Sequence, residues 1–459
     1  MLQSVARRCT GVTVTEPRVP RTLGLWLCTA LVVGNMIGSG VFLLPASLAP
    51  YGGISIVGWL VSAGGAVCLA LVFARLGTVL PLIGGPYAYA REGFGDFGAF
   101  WVAWSYWIAI VTANAALAVA FASYSTVFWP ALGTSPLLGA GAAMGALWAF
   151  TAVSAAGARE AGRVQLVTTI LKTIPLLALG LFGFMAFDAS HFRPFNRSGA
   201  SPIAAISATV TLTLWAFTGL ESGTVPADDV RDPSRTIPRA TVLGTLIAAA
   251  VYIVCTVSVM GIVAPADLAG STAPFADAAS ALWGPWGRIV IGAGAAISCL
   301  GALNGWVLLS GQLPRAAALD GLLPARLARL NSRGAALTSL VLSSAVVTVL
   351  IAMNYSRGLV QAFTFMILLS TLATLVPYVF SSATALRIAL REGRGGNMAA
   401  VAGRLAVSII AFAYSLWAIV GAGRDAIYWG FVLLIVGLPA YVVMRWRVPA
   451  LSAGEEAQP

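Results

Sequence analysis

Long apolar segments follow one another along the whole chain, and Arg, Gly and Pro mark their ends. A helix needs about 20 mostly apolar residues to cross a bilayer. The segments are continuously apolar, whereas barrel strands alternate over about ten residues, so they predict helices. By this measure about twelve spans are predicted, at 23–49, 54–77, 97–128, 136–156, 164–187, 202–227, 238–263, 287–313, 335–353, 358–387, 399–422 and 426–445.

Composition and charge predict the class of protein and its orientation in the membrane. Hydrophobic residues make up 59% of the 459 residues and charged residues only 9%, against about 25% charged in soluble domains, so the chain is not a soluble domain. The net charge of +11 comes almost entirely from Arg at the span ends. With the N-terminus in the cytoplasm, the outer loops hold only Arg193, Arg197, Arg288, Arg357 and Arg424. The positive-inside rule therefore predicts cytoplasmic termini, with 1–22 and 447–459 in the cytoplasm, and no nucleic-acid partner.

Two spans are interrupted by glycine at corresponding places. The first contains GNMIGSG at 34–40 and then Pro45, and the sixth contains WAFTGLESG at 215–223 and then Pro226. Close helix packing is the simpler reading of such glycines. Paired interruptions instead point to a transporter built of inverted repeats, with its site near the membrane midplane. We therefore expect repeats at 23–187 and 202–387, followed by two extra helices at 399–446.

An unwound helix has a direct chemical use. It exposes backbone N–H groups at the start of the next half-helix, where the helix dipole favours an anion. It also exposes carbonyl groups that can accept hydrogen bonds from an ammonium. A pair of such breaks suits the zwitterionic head group of an amino acid.

Few ionisable residues lie in the interiors of the predicted spans, and two of them are candidates for function. Glu221 is an intramembrane carboxylate, which costs several kcal/mol and is therefore a functional candidate, as a proton carrier or as the partner of a cationic substrate. Bracing of the broken helix by hydrogen bonds is the structural alternative. Lys172 is the only lysine; it could titrate near neutrality or stand where another transporter binds sodium. Snorkelling to the interface is its structural alternative.

Aromatic residues accompany this carboxylate. Tyr106, Trp215, Trp306 and Phe363 lie in span interiors, away from the interfaces where membrane Trp and Tyr usually sit. Each alone is explained by packing. Together with Glu221 they suggest a cation site, because desolvated aromatic faces bind cations by about 2 kcal/mol.

Other chemistry is poorly supported. Ser39 has no neighbouring base, Glu221 has no paired carboxylate, and no phosphate loop or redox motif occurs. The five cysteines have no metal-ligand spacing. We therefore predict no enzyme activity, no cofactor and no metal, and secondary transport remains, with a non-transporting amino-acid sensor as a rival from another class.

Five blocks of sequence resemble one family when taken together. They are GNMIGSGVFLLP at 34–45, GGPYAYAR at 84–91, LWAFTGLES at 214–222, GALNGWVLLS at 301–310 and LVPY at 375–378. The chain resembles the amino acid–polyamine–organocation superfamily from about 23 to 446. Within it, the resemblance is to basic amino acid/polyamine antiporters, the arginine/agmatine type first. It implies an all-α fold of five-plus-five inverted repeats with helices 1 and 6 broken, in the bacterial inner membrane.

The resemblance also implies roles for single residues. Ser39 and Gly40 would receive the substrate carboxylate, and Ile37 and Trp215 would offer carbonyls to the α-ammonium. Trp306 would stack on the guanidinium, and Ala109, Asn114 and Ser370 would hydrogen-bond it. Tyr106, Glu221, Phe363 and Tyr378 would form gates and a polar network, and Tyr87 matches a tyrosine linked to pH response.

The chain departs from the arginine/agmatine type at three positions. Ile110 and Leu117 replace a cysteine and a methionine, and Lys172 matches a lysine of proton-coupled and large neutral amino acid transporters. We therefore expect exchange of arginine for agmatine first. A proton-coupled or exchange transporter of another amino acid or polyamine is the alternative. The expected partners are an amino acid or amine and the lipid bilayer, and homodimerisation is left open.

Overall fold

The computed structural model describes residues 24–80, 85–156, 174–221, 232–392 and 398–447, and no strand occurs within these ranges. The helices, in chain order, are α1 Leu25–Met36, α2 Ser39–Leu48, α3 Ile54–Val79, α4 Pro86–Ser125, α5 Ala131–Thr134, α6 Pro136–Ala155, α7 Ile174–Ala186, α8 Pro202–Leu214, α9 Pro233–Ile262, α10 Pro265–Gly270, α11 Pro274–Leu319, α12 Leu337–Asn354, α13 Leu359–Glu392, α14 Met398–Val420, α15 Arg424–Ile435 and α16 Gly437–Arg447.

The helices match the predicted spans, and the predicted all-α membrane fold is confirmed. Nine helices of the described part are long and apolar enough to cross a membrane. The broken pair α1 and α2 makes up the first predicted span. The helices α7 and α8 are shorter apolar helices, and α7 begins where a described range begins. Large apolar side chains such as Leu60, Ile203 and Phe431 are exposed on the outside of the bundle, as expected for a surface solvated by lipid.

Three predicted boundaries are corrected. The spans predicted to start at 97 and 287 belong to longer helices that start at Pro86 and Pro274. The apolar count missed the first turns because they are rich in small and charged residues. The last predicted span, 426–445, consists of two helices, α15 and α16. Residues 164–173 and 222–227 of two predicted spans lie outside the described residues.

The helices α4 and α11 contain the same kink. Gly95 has φ 71° and ψ −166° in α4, and Gly284 has φ 72° and ψ −165° in α11. A positive φ favours glycine, which lacks a Cβ. A further glycine follows three residues later, where a Cβ would contact the end of the preceding short segment: Gly98 faces Phe94, and Gly287 faces Trp283.

The two kinked helices run in opposite directions. At one end of the molecule, Tyr87 near the start of α4 donates to Asp320, which follows the end of α11, at 2.7 Å. At the other end, the Phe275 amide near the start of α11 donates to the hydroxyl of Tyr124, near the end of α4, at 3.3 Å. The same kink in two antiparallel helices agrees with inverted repeats. The repeat limits, 23–187 and 202–387, stay a prediction.

Candidate functional site

The first break separates α1 from α2 in the middle of the first span. The helix α1 ends at Met36, Ile37 is extended at φ −74° and ψ 91°, and α2 begins at Ser39 after Gly38, which has φ −122° and ψ −133°. The first N–H groups of a helix have no partner within that helix. Because Ser39 to Leu48 are all buried, this helix start points into the protein and not into lipid.

Glycines bring the first break against its neighbours. A Cβ on Gly40 would lie 3.2 Å from Cα and Cβ of Ala216 and 3.3 Å from Cδ1 of Trp215, both in the second break. A Cβ on Gly38 would lie 3.1 Å from Cβ of Ala302 in α11. The two breaks therefore contact each other, and α11 closes one side of the first.

The second break begins where α8 ends at Leu214. A 3-10 turn, Trp215–Phe217, leads to extended Thr218, and Gly219 has φ 99°. Thr218 donates to the Trp215 carbonyl twice, from its amide at 3.1 Å and from its hydroxyl at 2.7 Å. The carbonyl that the resemblance assigns to a substrate ammonium is therefore occupied by Thr218 in this conformation.

Glu221 lies at the centre of a set of donors. Its Oε1 accepts from the Tyr106 hydroxyl of α4 at 2.6 Å, and its Oε2 accepts from the Tyr378 hydroxyl of α13 at 2.9 Å and from the Gly219 amide at 3.2 Å. Its side chain is 1% exposed. The carboxyl group thus joins the second break to α4 and α13, and hydrogen-bond donors of the protein take the place of water around it.

The polar groups of α4 and α13 meet in a second contact. Ser370 donates to the Ala109 carbonyl at 2.8 Å, and the Thr112 hydroxyl donates to the same carbonyl at 3.0 Å. The structure therefore brings Ala109 and Ser370 together, bonded to each other. A substrate that uses either group must replace this bond.

Two of the predicted site residues carry a buried polar atom that has no hydrogen-bond partner among the described residues. They are Oγ of Ser39 and Oδ1 of Asn114 in α4, and both side chains are 1% exposed. A buried polar atom without a partner costs about 1–3 kcal/mol. A ligand with suitable groups would recover that free energy, so these atoms favour a binding site.

The aromatic candidates lie in the core around the breaks. Ile37, Trp215 and Phe363 are buried in one hydrophobic cluster, and half-buried Trp306 packs against it. The assignment of Trp306 and Phe363 to the site rests on this shared core and on the resemblance.

Two predicted functional residues lie elsewhere. Tyr87 is at one end of the molecule, where its hydroxyl donates to Asp320 and Arg91 contacts both Asp320 and Asp96. It is therefore not part of the cluster at the breaks, and its role in pH response stays a prediction. Lys172 lies outside the described residues, so its role also stays a prediction.

Sequence reasoning missed two neighbours of the breaks. Thr218 occupies the Trp215 carbonyl, and Ser298 of α11 donates to the Gly38 carbonyl at 3.5 Å. Small hydroxyl residues are frequent in the spans, so neither stood out. The signal that could have found Thr218 is its position directly before the glycine of the second break.

The site combines the buried start of α2, a carboxyl group held by three donors and aromatic residues of the core, in the interior of a membrane bundle. In the described part of the chain no group of three His, Cys, Asp or Glu residues could hold a metal ion. The arrangement suits binding of a small molecule that carries both an anionic and a cationic group.

Known proteins are similar to this chain over nearly its whole length. The amino acid permease family model matches residues 23–444. A putrescine transporter of Haemophilus influenzae is 33% identical over 429 residues, which cover 93% of this chain and 97% of the relative. A cadaverine/lysine antiporter of Escherichia coli is 34% identical over 427 residues, covering 92% and 94%. A putrescine transporter of Escherichia coli is 32% identical over 426 residues, covering 93% and 96%.

These matches decide between the classes that the sequence left open. The relatives are transporters and not enzymes, and the expected absence of enzyme activity is confirmed by the family. The matched region includes both breaks and the whole set of helices around them. The chain belongs to the amino acid permease family, among the basic amino acid/polyamine antiporters of the amino acid–polyamine–organocation superfamily.

Proposed function

We propose that this protein works in the bacterial inner membrane as an exchanger, which moves a cationic amino acid in one direction and the amine formed by its decarboxylation in the other. The observation that carries the proposal is the buried Glu221 carboxylate, held by Tyr106, Tyr378 and the Gly219 amide. A carboxylate inside a membrane bundle is costly and marks a substrate or ion path.

A cationic amino acid and its decarboxylated amine share a cation and differ in the carboxylate, which suits two breaks that differ in their chemistry. Decarboxylation removes the carboxylate of the amino acid and leaves the side-chain cation unchanged. An exchanger must therefore recognise a cation that both substrates carry and tolerate loss of the anion. We assign the cation to the neighbourhood of Glu221 and the carboxylate to the start of α2 at Ser39 and Gly40.

The other roles follow from the residues around the breaks. Asn114 and Ser370 would hydrogen-bond the side-chain cation, and Trp306 would stack on it. The α-ammonium would approach the carbonyls of Ile37 and Trp215. Because Thr218 occupies the Trp215 carbonyl, and Ser370 is bonded to Ala109, substrate binding would exchange these internal bonds for bonds to the ligand.

The identity of the amine is the finer part of the proposal. The resemblance in the sequence implies arginine and agmatine. The relatives are named for diamines, either cadaverine together with lysine or putrescine. We therefore put lysine with cadaverine and ornithine with putrescine beside arginine with agmatine as the pairs to be compared.

Counterflow in proteoliposomes tests the proposal. Vesicles holding the purified protein are loaded with unlabelled cadaverine, putrescine or agmatine, and uptake of labelled lysine, ornithine or arginine is followed. We expect one loaded amine to accelerate uptake of its parent amino acid, and protein-free vesicles to show no acceleration.

Three other outcomes would reject the proposal in distinguishable ways. Uptake of neutral amino acids driven by a proton gradient, without amine-driven counterflow, would indicate a proton-coupled transporter. Binding without flux of any substrate would indicate a sensor. Chemical conversion of the substrate would indicate an enzyme.

A further inference from the structure

A groove lies between α3 and α14, away from the two breaks. Its volume is about 480 Å³, and Leu71, Val72 and Val79 of α3 and Ala400 and Val407 of α14 form its apolar walls. Leu71 and Val79 are 39% and 43% exposed, so the groove opens towards the outside of the bundle. An apolar wall on that surface of a membrane protein faces the hydrocarbon chains of lipid.

Three charged residues also line this groove. Arg75 of α3 and Arg404 of α14 both contact Oε2 of Glu392 at the end of α13, at 2.5 Å and 2.8 Å. Two positive charges therefore share one negative charge. The Arg75 side chain is 17% exposed, and its Nη1 atom is buried without a hydrogen-bond partner in the described ranges.

This combination selects one kind of ligand. A guanidinium binds a phosphate oxygen strongly, and the cluster of Arg75, Arg404 and Glu392 keeps one positive charge in surplus. The walls next to the cluster offer apolar contacts and no further charge. Basic pockets between membrane helices bind anionic lipid head groups, and a phospholipid has both the phosphate and the acyl chain that the groove matches.

We propose that this groove binds one anionic phospholipid, with the phosphate on Arg75 and Arg404 and an acyl chain along α3 and α14. The lipid joins the ends of α3, α13 and α14. This site is separate from the exchange site, because none of the lining residues belongs to either break.

Gly403 provides a way to close the groove without disturbing the charges. It lines the groove on α14, and a Cβ built on it meets no atom within 4 Å. Gly403→Leu should therefore fill the space that the acyl chain takes. Gly141 of α6 also has no atom within 4 Å of an added Cβ and does not line the groove, so Gly141→Leu is the matched control.

The charged residues of the groove predict changes of lipid binding in both directions. Loss of one arginine should weaken lipid binding by about 5-fold, from about 1 kcal/mol per basic residue. Arg75→Gln and Arg404→Gln are the two variants. Glu392→Gln removes the carboxylate that competes with the phosphate, so it should bind the anionic lipid more tightly than the native protein.

The test follows the melting temperature of the purified full chain in detergent while a lipid is added. Dioleoylphosphatidylglycerol is the anionic probe, dioleoylphosphatidylcholine the zwitterionic one, and sodium phosphate the head group without a tail. We expect only the phosphatidylglycerol to raise the melting temperature in a saturable way. Gly403→Leu should lose that response and Gly141→Leu should keep it.

Each contrary result would overturn the proposal. An equal response to phosphatidylcholine would mean an apolar groove without a head-group site. An equal response to sodium phosphate would mean a soluble-anion site. An equal response of Gly403→Leu and Gly141→Leu, or weaker binding by Glu392→Gln, would mean that the phosphatidylglycerol binds elsewhere.

Discussion

The two breaks have the same backbone device and unlike chemistry. The first, at 36–40, has no charged side chain, and its Ser39 hydroxyl has no partner among the described residues. The second, at 215–221, contains Glu221, whose oxygens already accept three hydrogen bonds. The first break thus has a hydroxyl without a partner within the described residues, whereas the carboxyl oxygens of the second are already hydrogen-bonded.

The two kinked helices α4 and α11 likewise share backbone geometry and differ in their side chains. Gly95 and Gly284 have nearly the same dihedral angles, but the ion pairs that cross the two kinks are reversed. In α4, Arg91 precedes the kink and Asp96 follows it, and in α11, Asp277 precedes the kink and Arg288 follows it. The two halves share backbone geometry, while their side chains are free to differ.

The largest expected effect is at the contact between the breaks. In Gly40→Ala the new Cβ would lie 3.2 Å from Ala216 and 3.3 Å from Trp215, and it would also block the approach of a carboxylate to the backbone. We expect exchange to be lost while the protein still folds and inserts. Gly64→Ala is the control, because a Cβ there meets nothing within 4 Å. Normal flux in Gly40→Ala would mean that the glycines of the first break serve only close helix packing.

The next effect separates charge from shape at the second break. Glu221→Gln keeps the size of the side chain and removes the charge. Leaving a buried charge without its partner costs about 3–5 kcal/mol, so binding of cationic substrates should weaken by about 100-fold or more, and a neutral amino acid should be little affected. Glu92→Gln, the same change at an exposed position of α4, should leave exchange unchanged.

A different pattern would assign Glu221 another role. If it carries a proton in each cycle, Glu221→Gln should flatten the pH dependence of transport for cationic and neutral substrates alike. Measurement of uptake across a pH series for one substrate of each kind distinguishes the two roles.

A smaller effect is expected at Trp306. Trp306→Leu keeps apolar bulk and loses the aromatic face that would contact the substrate cation. The expected loss is about 1–2 kcal/mol, or roughly 5- to 30-fold in dissociation constant. Competition binding with the amino acid and with its amine measures it. Unchanged affinity for both ligands would exclude stacking on Trp306.

The smallest effect should distinguish the two substrates of the exchange. Ser39→Ala removes one hydroxyl that would donate to the substrate carboxylate, worth about 1 kcal/mol or roughly 5-fold. The decarboxylated amine has no carboxylate, so its affinity should stay the same. An equal loss for both ligands would show that Ser39 does not contact the carboxylate.

The sequence was sufficient for some features of the molecule and not for others. Long apolar runs predicted the helices because lipid exposure leaves few alternatives, and glycines predicted the first break. The starts of α4 and α11 were missed, because the segments before Gly95 and Gly284 are not uniformly apolar. They do repeat one pattern, PYAYA at 86–90 and PFADA at 274–278, and this was the available signal.

Side-chain partners were harder to predict than helices. Glu221 stood out because an intramembrane carboxylate is rare, but its bonds to Tyr106 and Tyr378 join residues 115 and 157 positions away, and no local pattern encodes such contacts. The bond from Thr218 to Trp215 depends on the local backbone at a break, which propensities do not describe.

The most direct test of the account uses three ligands that separate anion from cation: lysine has both groups, cadaverine lacks the carboxylate, and norleucine lacks the side-chain ammonium. Their dissociation constants are measured by competition on the native protein, Ser39→Ala and Glu221→Gln. We predict that Ser39→Ala weakens lysine and norleucine by about 5-fold and spares cadaverine. We predict that Glu221→Gln weakens lysine and cadaverine by about 100-fold and spares norleucine. Parallel losses for all three ligands in both variants would contradict the division of recognition between the two breaks.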